Sequence, residues 1–292
     1  MTPFRPAFLA ASLLVLGLAT ASPAIAAEQP GAKSFKLGTF QLVALHDAQF
    51  VLPNDGKVFG LGVGPAAVTR VLDAAGAPTE NVTLSVDALL VKTGDKVVLI
   101  DTGTGGALQQ SLKLAKVKPE TVTDILITHG HPDHVGGLVK NGALVFANAT
   151  IRMSAAEWSS LQSDSSMAEL VKVITPKVAS FTPGAEVVPG ITSLEIKGHT
   201  PGHVGYEITS GKEHLLDIGD TAHSSIVSLA KPAWHFGYDS DQEVAAASRV
   251  AMLAQLAKSQ ETIFAPHFPF PGVGKIKTQG DHYVWKPTLS VK

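Results

Sequence analysis

The chain has 292 residues, a formal net charge of -2, 45% hydrophobic residues and no cysteine. The sequence shows no lysine or arginine cluster of the kind that forms the basic stripe of nucleic-acid-binding proteins, which argues against such a partner. The lack of thiols excludes disulfides, cysteine nucleophiles and thiolate metal sites. At the start of the chain, Arg5, an apolar run over residues 7–19 and Ala24-Ile25-Ala26 are typical of a secretory signal peptide with its cleavage site. We therefore expect residues 1–26 to direct export to the periplasm or the medium. A membrane anchor is the alternative, but the run is shorter than the roughly 20 apolar residues of a spanning helix.

The first half of the remaining chain carries mainly strand signals. Apolar and β-branched residues predict strands over residues 35–45, 82–91 and 96–100, with Thr93-Gly94-Asp95 as the turn of a hairpin between the last two. Residues 49–78 predict a long loop, either a lid or interface or a simple connection, with a helix near residues 65–74. A short helix over residues 108–115 and a buried strand over residues 123–128 follow.

The second half alternates helices and strands. The S-x-x-E pattern of a capping box at residues 154–157 and 240–243 predicts helices over residues 155–161 and 241–258. Strands are predicted over residues 191–196, 204–209, 215–218 and 262–265. This alternation, without a repeat or a low-complexity tract, predicts one α/β domain over residues 27–292 with polar clusters at its strand ends.

Residues 129–134 hold four potential metal ligands directly after a predicted strand: His129, His131, Asp133 and His134. A divalent metal with nitrogen and oxygen ligands needs imidazoles and carboxylates that converge from rigid supports, and a strand end provides such a support. In an extended segment His129 and His131 would share one side, whereas Asp133 and His134 would be offset. One loop could therefore serve two metal ions.

The pattern H-x-H-x-D-H at residues 129–134 resembles the signature of the metallo-β-lactamase superfamily, and its other features follow in order. They are Gly-His-Thr-Pro-Gly-His at residues 198–203, Asp220 after Ile218-Gly219, His267 after Ala265-Pro266, and an early Asp-x-Gly turn at Asp101. The resemblance implies an αβ/βα sandwich, in which two mixed β-sheets are flanked by helices.

The resemblance also implies a dinuclear site with two divalent metal ions, of which zinc is the first expectation and iron, manganese or cobalt are alternatives. Its implied ligands are His129, His131 and His203 for one ion, Asp133, His134 and His267 for the other, and Asp220 as a bridge. Asp101 and His199 are implied to support these ligands from behind.

Such a site favours hydrolysis by a metal-bridging hydroxide, because metal binding lowers the pKa of water from about 15.7 toward 7. Asp133 and Asp220 could also transfer the proton that the leaving group needs. Residues 238–241, 265–274 and 283–287 further resemble exported methyl parathion hydrolase-like enzymes and their lactonase and arylesterase relatives. This implies a homodimer that hydrolyses lactones or esters. The alternatives are an organophosphate triesterase and, after it, a β-lactamase, a thioesterase or a metal-binding protein without catalysis.

Aromatic side chains are the expected lining of a substrate pocket, since clefts bind compounds of this kind with apolar walls. The candidates are Phe50, Phe59, Trp158, Trp234, Phe236, Phe268 and Phe270. The core is the alternative for each of them except Phe268, which directly follows the predicted ligand His267 and is expected in the pocket. His223 lies three residues after Asp220, where acyl homoserine lactonases of the family commonly place a tyrosine that contacts the substrate oxygen. It is predicted to have a catalytic role beside the metals, with a surface histidine as the alternative.

Overall fold

A computed structural model of the protein describes residues 24–26 and 29–290. The predicted signal peptide lies outside these residues except for Ala24–Ala26, and export stays a prediction. No helix within the described ranges combines the length and the apolar character needed to cross a membrane.

The described residues form seven α-helices and nineteen strands, joined in places by single turns of 3-10 helix. The helices are α1 Pro65–Ala74, α2 Leu108–Leu114, α3 Pro132–Val135, α4 Ala155–Ser163, α5 Ala168–Ile174, α6 Val227–Ala230 and α7 Gln242–Ser259. The strands are β1 Ala24–Ala26, β2 Gly31–Leu37, β3 Phe40–Pro53, β4 Phe59–Leu61, β5 Asn81–Thr93, β6 Lys96–Ile100, β7 Asp124–Leu126, β8 Val139–Lys140, β9 Ala143–Leu144, β10 Thr150–Ser154, β11 Val178–Phe181, β12 Glu186–Val188, β13 Ile191–Glu195, β14 Val204–Ser210, β15 Glu213–Asp217, β16 His235–Phe236, β17 Thr262–Phe264, β18 Val273–Gln279 and β19 His282–Pro287.

Two large mixed sheets carry the fold. The first has the order β1-β3-β5-β6-β7-β10-β11, with β2 paired to β3, and the second has the order β12-β13-β14-β15-β17-β18-β19. In the first sheet, β6, β7, β10 and β11 run parallel and the remaining pairs are antiparallel. In the second sheet only β15 and β17 pair in parallel.

Alternation along the central strands explains why the sheets stack with helices outside. In β5, Leu89 and Val91 join Tyr206 and Phe264 of the second sheet in the core between the sheets. Ala88 and Leu90 point the other way, into the core covered by α2, α4 and α5. A strand buried on both faces reads as an unbroken apolar run, which is what residues 88–91 show. Helix α7 covers the outer face of the second sheet through Leu253 and Leu256. The predicted sandwich of two mixed sheets flanked by helices is therefore confirmed.

The structure corrects the elements around one turn and one loop. The predicted strand over residues 35–45 is a hairpin of β2 and β3, because Gly38 adopts a positive φ of 55° between them. The predicted loop at residues 49–78 begins as the end of β3 and contains β4, and its predicted helix is α1 at the expected residues. At the start of α7 the N-cap is Asp241, whose side chain accepts a hydrogen bond from the Val244 N–H, and not Ser240.

Candidate metal centre

The predicted ligands lie where strands of both sheets begin or end at one edge of the sandwich. In the first sheet, β6 leads into Asp101 and β7 leads into the segment 129–134, whose second half forms α3. In the second sheet, β15 leads into Asp220, β17 leads into His267, and the segment 198–203 enters β14. The two sheets thus bring distant parts of the sequence to one site.

Three imidazole nitrogens form the first group of the site. His129 Nε2 lies 3.0 Å from His131 Nδ1, and His199 Nε2 lies 3.2 Å from the former and 3.0 Å from the latter. Nitrogens bound to one tetrahedral zinc at about 2.0 Å would lie about 3.3 Å from one another. With Asp220, these three side chains form one of the groups that could hold a metal ion.

Asp133, His134 and His267 form a second group. Asp133 Oδ2 lies 3.5 Å from His267 Nε2 and 3.9 Å from His134 Nε2. Asp133 and His134 are therefore offset from His129 and His131, as predicted. The short helix α3 produces it, because Asp133 and His134 follow Pro132 into a helical turn.

Asp220 lies between the two groups. Its Oδ2 is 3.5 Å from His129 Nε2 and 3.3 Å from His199 Nε2, and its Oδ1 is 3.3 Å from His134 Nε2 and 3.1 Å from His267 Nε2. Oδ2 also lies 3.2 Å from His267 Nε2, so it approaches both groups, while Oδ1 faces the second group. The carboxylate therefore contacts both groups, as a bridging ligand requires.

Hydrogen bonds on the far side of the rings fix which nitrogen faces the centre. His267 Nδ1 donates to the Ser85 carbonyl at 2.7 Å, His134 Nδ1 lies 2.7 Å from Asp101 Oδ2, and His199 Nδ1 lies 2.8 Å from Asp239 Oδ1. A histidine whose other nitrogen is held in this way presents an oriented lone pair, as metal-binding histidines do. Asp101 thus lies behind His134, where the resemblance places it.

The centre also contains buried polar atoms without hydrogen-bond partners. Within the described residues, neither His134 Nε2 nor Asp220 Oδ1 has such a partner, although the two atoms face each other at 3.3 Å. A buried polar group normally has a partner, because leaving it without one costs about 1–3 kcal/mol. A divalent cation is a partner that both atoms can share, so the residues present fit a metal centre.

The electrostatics of the site are consistent with this fit. Burial lowers the pKa of His129 well below its ordinary range and that of His131 to about 4, so both rings are neutral at pH 7, the form that binds metal. Burial also opposes charge on His267, yet Asp220 and Asp133 raise the pKa of this ring to about 9. The carboxylates therefore create a negative potential that favours a cation here.

The structure contradicts one predicted pair of roles in the segment 198–203. His203 points away from the metal groups: its Nδ1 donates to the Ile196 carbonyl at 3.1 Å, and its Nε2 accepts from the Asp220 N–H at 3.0 Å. Both ring nitrogens are used, so His203 has no lone pair for a metal. His199 takes the place predicted for His203, and His203 takes the supporting place predicted for His199.

Comparison with known proteins agrees with this geometry. Residues 82–267 match the sequence profile of the metallo-beta-lactamase superfamily. The chain belongs to that superfamily. The matched segment begins near the start of β5 and ends at His267, so it contains all of the groups described above.

Two solved structures are similar to this superfamily member over most of its length. AidC, a dizinc quorum-quenching lactonase in complex with the product N-hexanoyl-L-homoserine, is 30% identical with a TM-score of 0.85, over 90% of this chain and 99% of its own. The hydrolase AbOPH is also 30% identical, with a TM-score of 0.83, over 91% of this chain and 100% of its own. The N-acyl homoserine lactonase of Bacillus cereus is 29% identical over 158 residues, which are 53% of this chain and 60% of the lactonase. We conclude that the protein is a metal-dependent hydrolase of the metallo-β-lactamase superfamily.

A pocket of about 490 Å³ opens above the centre of this metallo-β-lactamase superfamily hydrolase. Its floor includes His131, Asp133, Asp220 and His267, and its lining also includes Phe50, Leu52, Leu84, His223, Phe236 and Tyr238. Phe50 and Phe236 therefore lie where the sequence analysis predicts. The apolar walls can bind the hydrocarbon part of a small substrate next to the metal groups.

The other five predicted pocket residues lie elsewhere. Phe59 is buried and packs against Phe236 from behind, with ring centroids 5.0 Å apart. Trp158 packs against the core under the first sheet. Phe268, although it follows His267, is fully buried against Trp285. Trp234 lines a different cavity, and Phe270 packs against the core between the sheets. For these residues the core alternative holds, and Phe268 shows that an aromatic residue next to a ligand in sequence can still point into the core.

His223 faces the centre and is buried. Its Nε2 lies 3.1 Å from Asp220 Oδ2, and its ring stacks on Phe236 with centroids 3.7 Å apart. Among the described residues its buried Nδ1 has no hydrogen-bond partner. The structure thus excludes the alternative of a surface histidine.

Sequence reasoning missed several residues that build the site. Asp239 orients His199 and is held by Arg249, whose NH2 group donates to Asp239 Oδ2 at 2.8 Å. Tyr238 lines the pocket with a half-exposed ring. Burial and the charge of Asp133 raise the pKa of Tyr238, so the phenol stays protonated at neutral pH. The sequence signal for Tyr238 and Asp239 was their place in residues 238–241, which resemble methyl parathion hydrolase-like enzymes and precede a long helix. Arg249, inside that helix, gave no signal of its own.

Proposed function

We propose that the protein is a dinuclear metal-dependent lactonase or esterase. The observation that carries this proposal is the pair of histidine-containing groups on either side of Asp220, at the floor of an apolar pocket. One ion would be held by His129, His131 and His199, the other by Asp133, His134 and His267, with Asp220 shared. Zinc is the first expectation for this set of nitrogen and oxygen ligands.

The chemistry that two divalent ions supply in such a centre is Lewis acidity and a nucleophile at neutral pH. The chain itself binds and orients the substrate. Phe50, Leu52, Leu84 and Phe236 would hold its apolar part and exclude water, which strengthens the electrostatic interactions at the floor of the pocket. Asp133 is the carboxylate of the site that is partly open to the pocket, so its Oδ2 is placed to accept or deliver the proton that the leaving oxygen needs.

Lactones are the first choice of substrate for two reasons. AidC, which is similar over 90% of this chain, is a lactonase. In addition, the apolar walls above a polar floor of histidines and carboxylates suit an ester ring with a hydrocarbon substituent. A phosphotriester offers the same combination of an electrophilic centre and apolar substituents, so it is the competing substrate class in the test. The homodimer implied by the resemblance stays a prediction.

The experiment that tests this proposal compares kcat/KM for a series of lactones with kcat/KM for a methyl phosphotriester, on zinc-loaded protein. We expect a preference for lactones of about 100-fold or more. We also expect that removing the metal with a chelator abolishes both activities and that zinc restores them, because the nucleophile and the Lewis acid depend on the ions. A preference for the phosphotriester would contradict the substrate assignment, and activity after complete metal removal would contradict the metal centre.

The role of His223 has a test of its own. We expect His223→Phe to lower kcat about 100-fold while the protein still binds two metal ions, because the ring contacts Asp220 and faces the pocket but is additional to the seven side chains assigned to the ions. The measurement is kcat together with metal content. His214→Phe, which changes an exposed histidine on β15, serves as the control and should leave both unchanged. Full turnover in His223→Phe would show that His223 is not catalytic.

A further inference from the structure

Glu157 lies next to the metal centre without belonging to either metal group. It occupies the first turn of α4, where the capping-box pattern predicts a side chain that reaches back to the N-cap residue Ser154. Half of that box is present, since Ser154 Oγ accepts a hydrogen bond from the Glu157 N–H at 3.1 Å. The Glu157 carboxylate, however, turns toward the two segments that carry the first metal group.

Both oxygens of this buried carboxylate are used by those segments. Oε1 accepts from the Gly130 N–H at 2.7 Å, and Oε2 accepts from the Thr200 hydroxyl at 2.7 Å and from the Gly202 N–H at 2.9 Å. No lysine, arginine or histidine within the described ranges forms an ion pair with Glu157. A buried charge without an ion pair is costly, and here hydrogen-bond donors alone compensate it.

Two of the three donor residues are next to metal-facing histidines. Gly130 lies between His129 and His131, and Thr200 directly follows His199. Ser154 reinforces the connection, because its hydroxyl donates to the Gly202 carbonyl at 2.7 Å. The helix can approach this closely because Gly202 has no side chain: a Cβ there would collide with the Glu157 backbone and with Ser154 Oγ.

The second metal group is held by different residues. Asp101 hydrogen-bonds His134, and the Ser85 carbonyl accepts from His267. Neither contact involves Glu157 or α4. The first half has two further supports, since Asp239 lies behind His199 and the Thr128 hydroxyl lies 3.0 Å from His129 Nδ1. Glu157 is the carboxylate that ties the His129–His131 loop to the His199 loop, and it contacts no residue of the second group.

We propose that Glu157 is a positioning residue that sets the affinity of the His129, His131 and His199 site for its metal ion and leaves the other site unaffected. This inference rests on the metal centre of the proposed function. It assigns the residue no contact with the substrate. Its physical basis is that one carboxylate fixes the spacing of two loops whose ligand nitrogens, His131 Nδ1 and His199 Nε2, lie 3.0 Å apart.

The variant Glu157→Gln tests the proposal because it keeps the size of the side chain and removes half of its accepting capacity. The amide NH2 must then face either the Gly130 N–H or the Gly202 N–H and the Thr200 hydroxyl, so a donor opposes a donor on one loop. We expect the affinity of one of the two sites for Zn²⁺ to fall about 10–100-fold while the other changes little. The measurement is a titration of metal-free protein with Zn²⁺ against a chromophoric chelator, which yields both dissociation constants.

Matched variants identify the affected half. Asp133→Asn, which changes a predicted ligand beside His134 and His267, should weaken the other site, so in the double variant both sites should be weak. Glu169→Gln, an exposed position on the neighbouring α5, should match the wild type.

The absorption spectrum of bound Co²⁺ provides a second readout, which should change in Glu157→Gln for the site weakened there. Thr200→Val removes a single donor and should give a smaller loss at that same site, which keeps the test available if Glu157→Gln does not fold.

The outcomes separate this inference from the function on which it rests. Unchanged dissociation constants in Glu157→Gln, or an equal loss at both sites, would overturn the positioning role. A wild-type protein that binds no Zn²⁺ would instead overturn the proposed metal centre, and the positioning role with it.

Discussion

Replacing Asp220 with asparagine is expected to lower kcat/KM by about 1,000-fold and to leave the protein with fewer than two tightly bound ions. Asp220 is buried, and its carboxylate contacts both metal groups, with Oδ2 toward His199 and Oδ1 toward His134. Asparagine keeps one oxygen and places an NH2 group where the second was. That group would oppose a site built for a cation and could not serve as its ligand. A loss of several kcal/mol of transition-state stabilisation corresponds to the expected rate change.

The measurement for Asp220→Asn combines metal content after dialysis with kcat/KM on the preferred lactone. Asp73→Asn is a suitable control, since Asp73 lies exposed on α1 and the change in side chain is the same. Circular dichroism would show whether both variants keep the fold. An Asp220→Asn variant with two tightly bound ions and wild-type activity would contradict the bridging position of this carboxylate.

The order of the strands and helices could be predicted because their patterns are local. The apolar run in β5, the turn after it and the proline at the start of α1 each lie within one short segment. Gly38 shows the limit of such patterns. It lies inside an otherwise continuous strand pattern, and its positive φ together with its close approach to Ser210 in the other sheet makes it a turn. That contact joins residues far apart in the chain, so no local pattern contains it.

The ligand types of the centre could also be predicted, but the direction of each side chain could not. In the segment Gly-His-Thr-Pro-Gly-His, both histidines follow a glycine, and both rings are buried. What separates them is a partner 40 residues away: Asp239 holds His199, whereas His203 is held by the Ile196 carbonyl at the end of β13. A contact between residues far apart in the chain also explains Phe268. This residue follows a ligand in the sequence, but its ring packs against Trp285 of the second sheet and lies in the core.

The two histidines of this segment offer a matched pair of variants with opposite expected effects. His199→Ala should weaken zinc binding at one site and lower kcat/KM about 100-fold or more, because His199 Nε2 completes the group with His129 and His131. His203→Ala should keep both ions. It should instead lower the free energy of unfolding by about 2 kcal/mol, because the buried Ile196 carbonyl and the Asp220 N–H lose their partner.

The pair is measured by Zn²⁺ titration, kcat/KM and thermal unfolding of the metal-free proteins. For a chain of this size, the loss expected in His203→Ala corresponds to a decrease in Tm of about 5 °C. Because both substitutions remove the same buried ring from the same segment, a nonspecific effect of the cavity would appear in both variants. Weak zinc binding in His203→Ala, with normal binding in His199→Ala, would restore the assignment implied by the sequence motif and contradict the geometry of the centre. Weak zinc binding in His199→Ala, with normal zinc binding in His203→Ala, would show what determines which histidine binds the metal. It would be the orientation imposed by Asp239 and Arg249, and not the position in the motif.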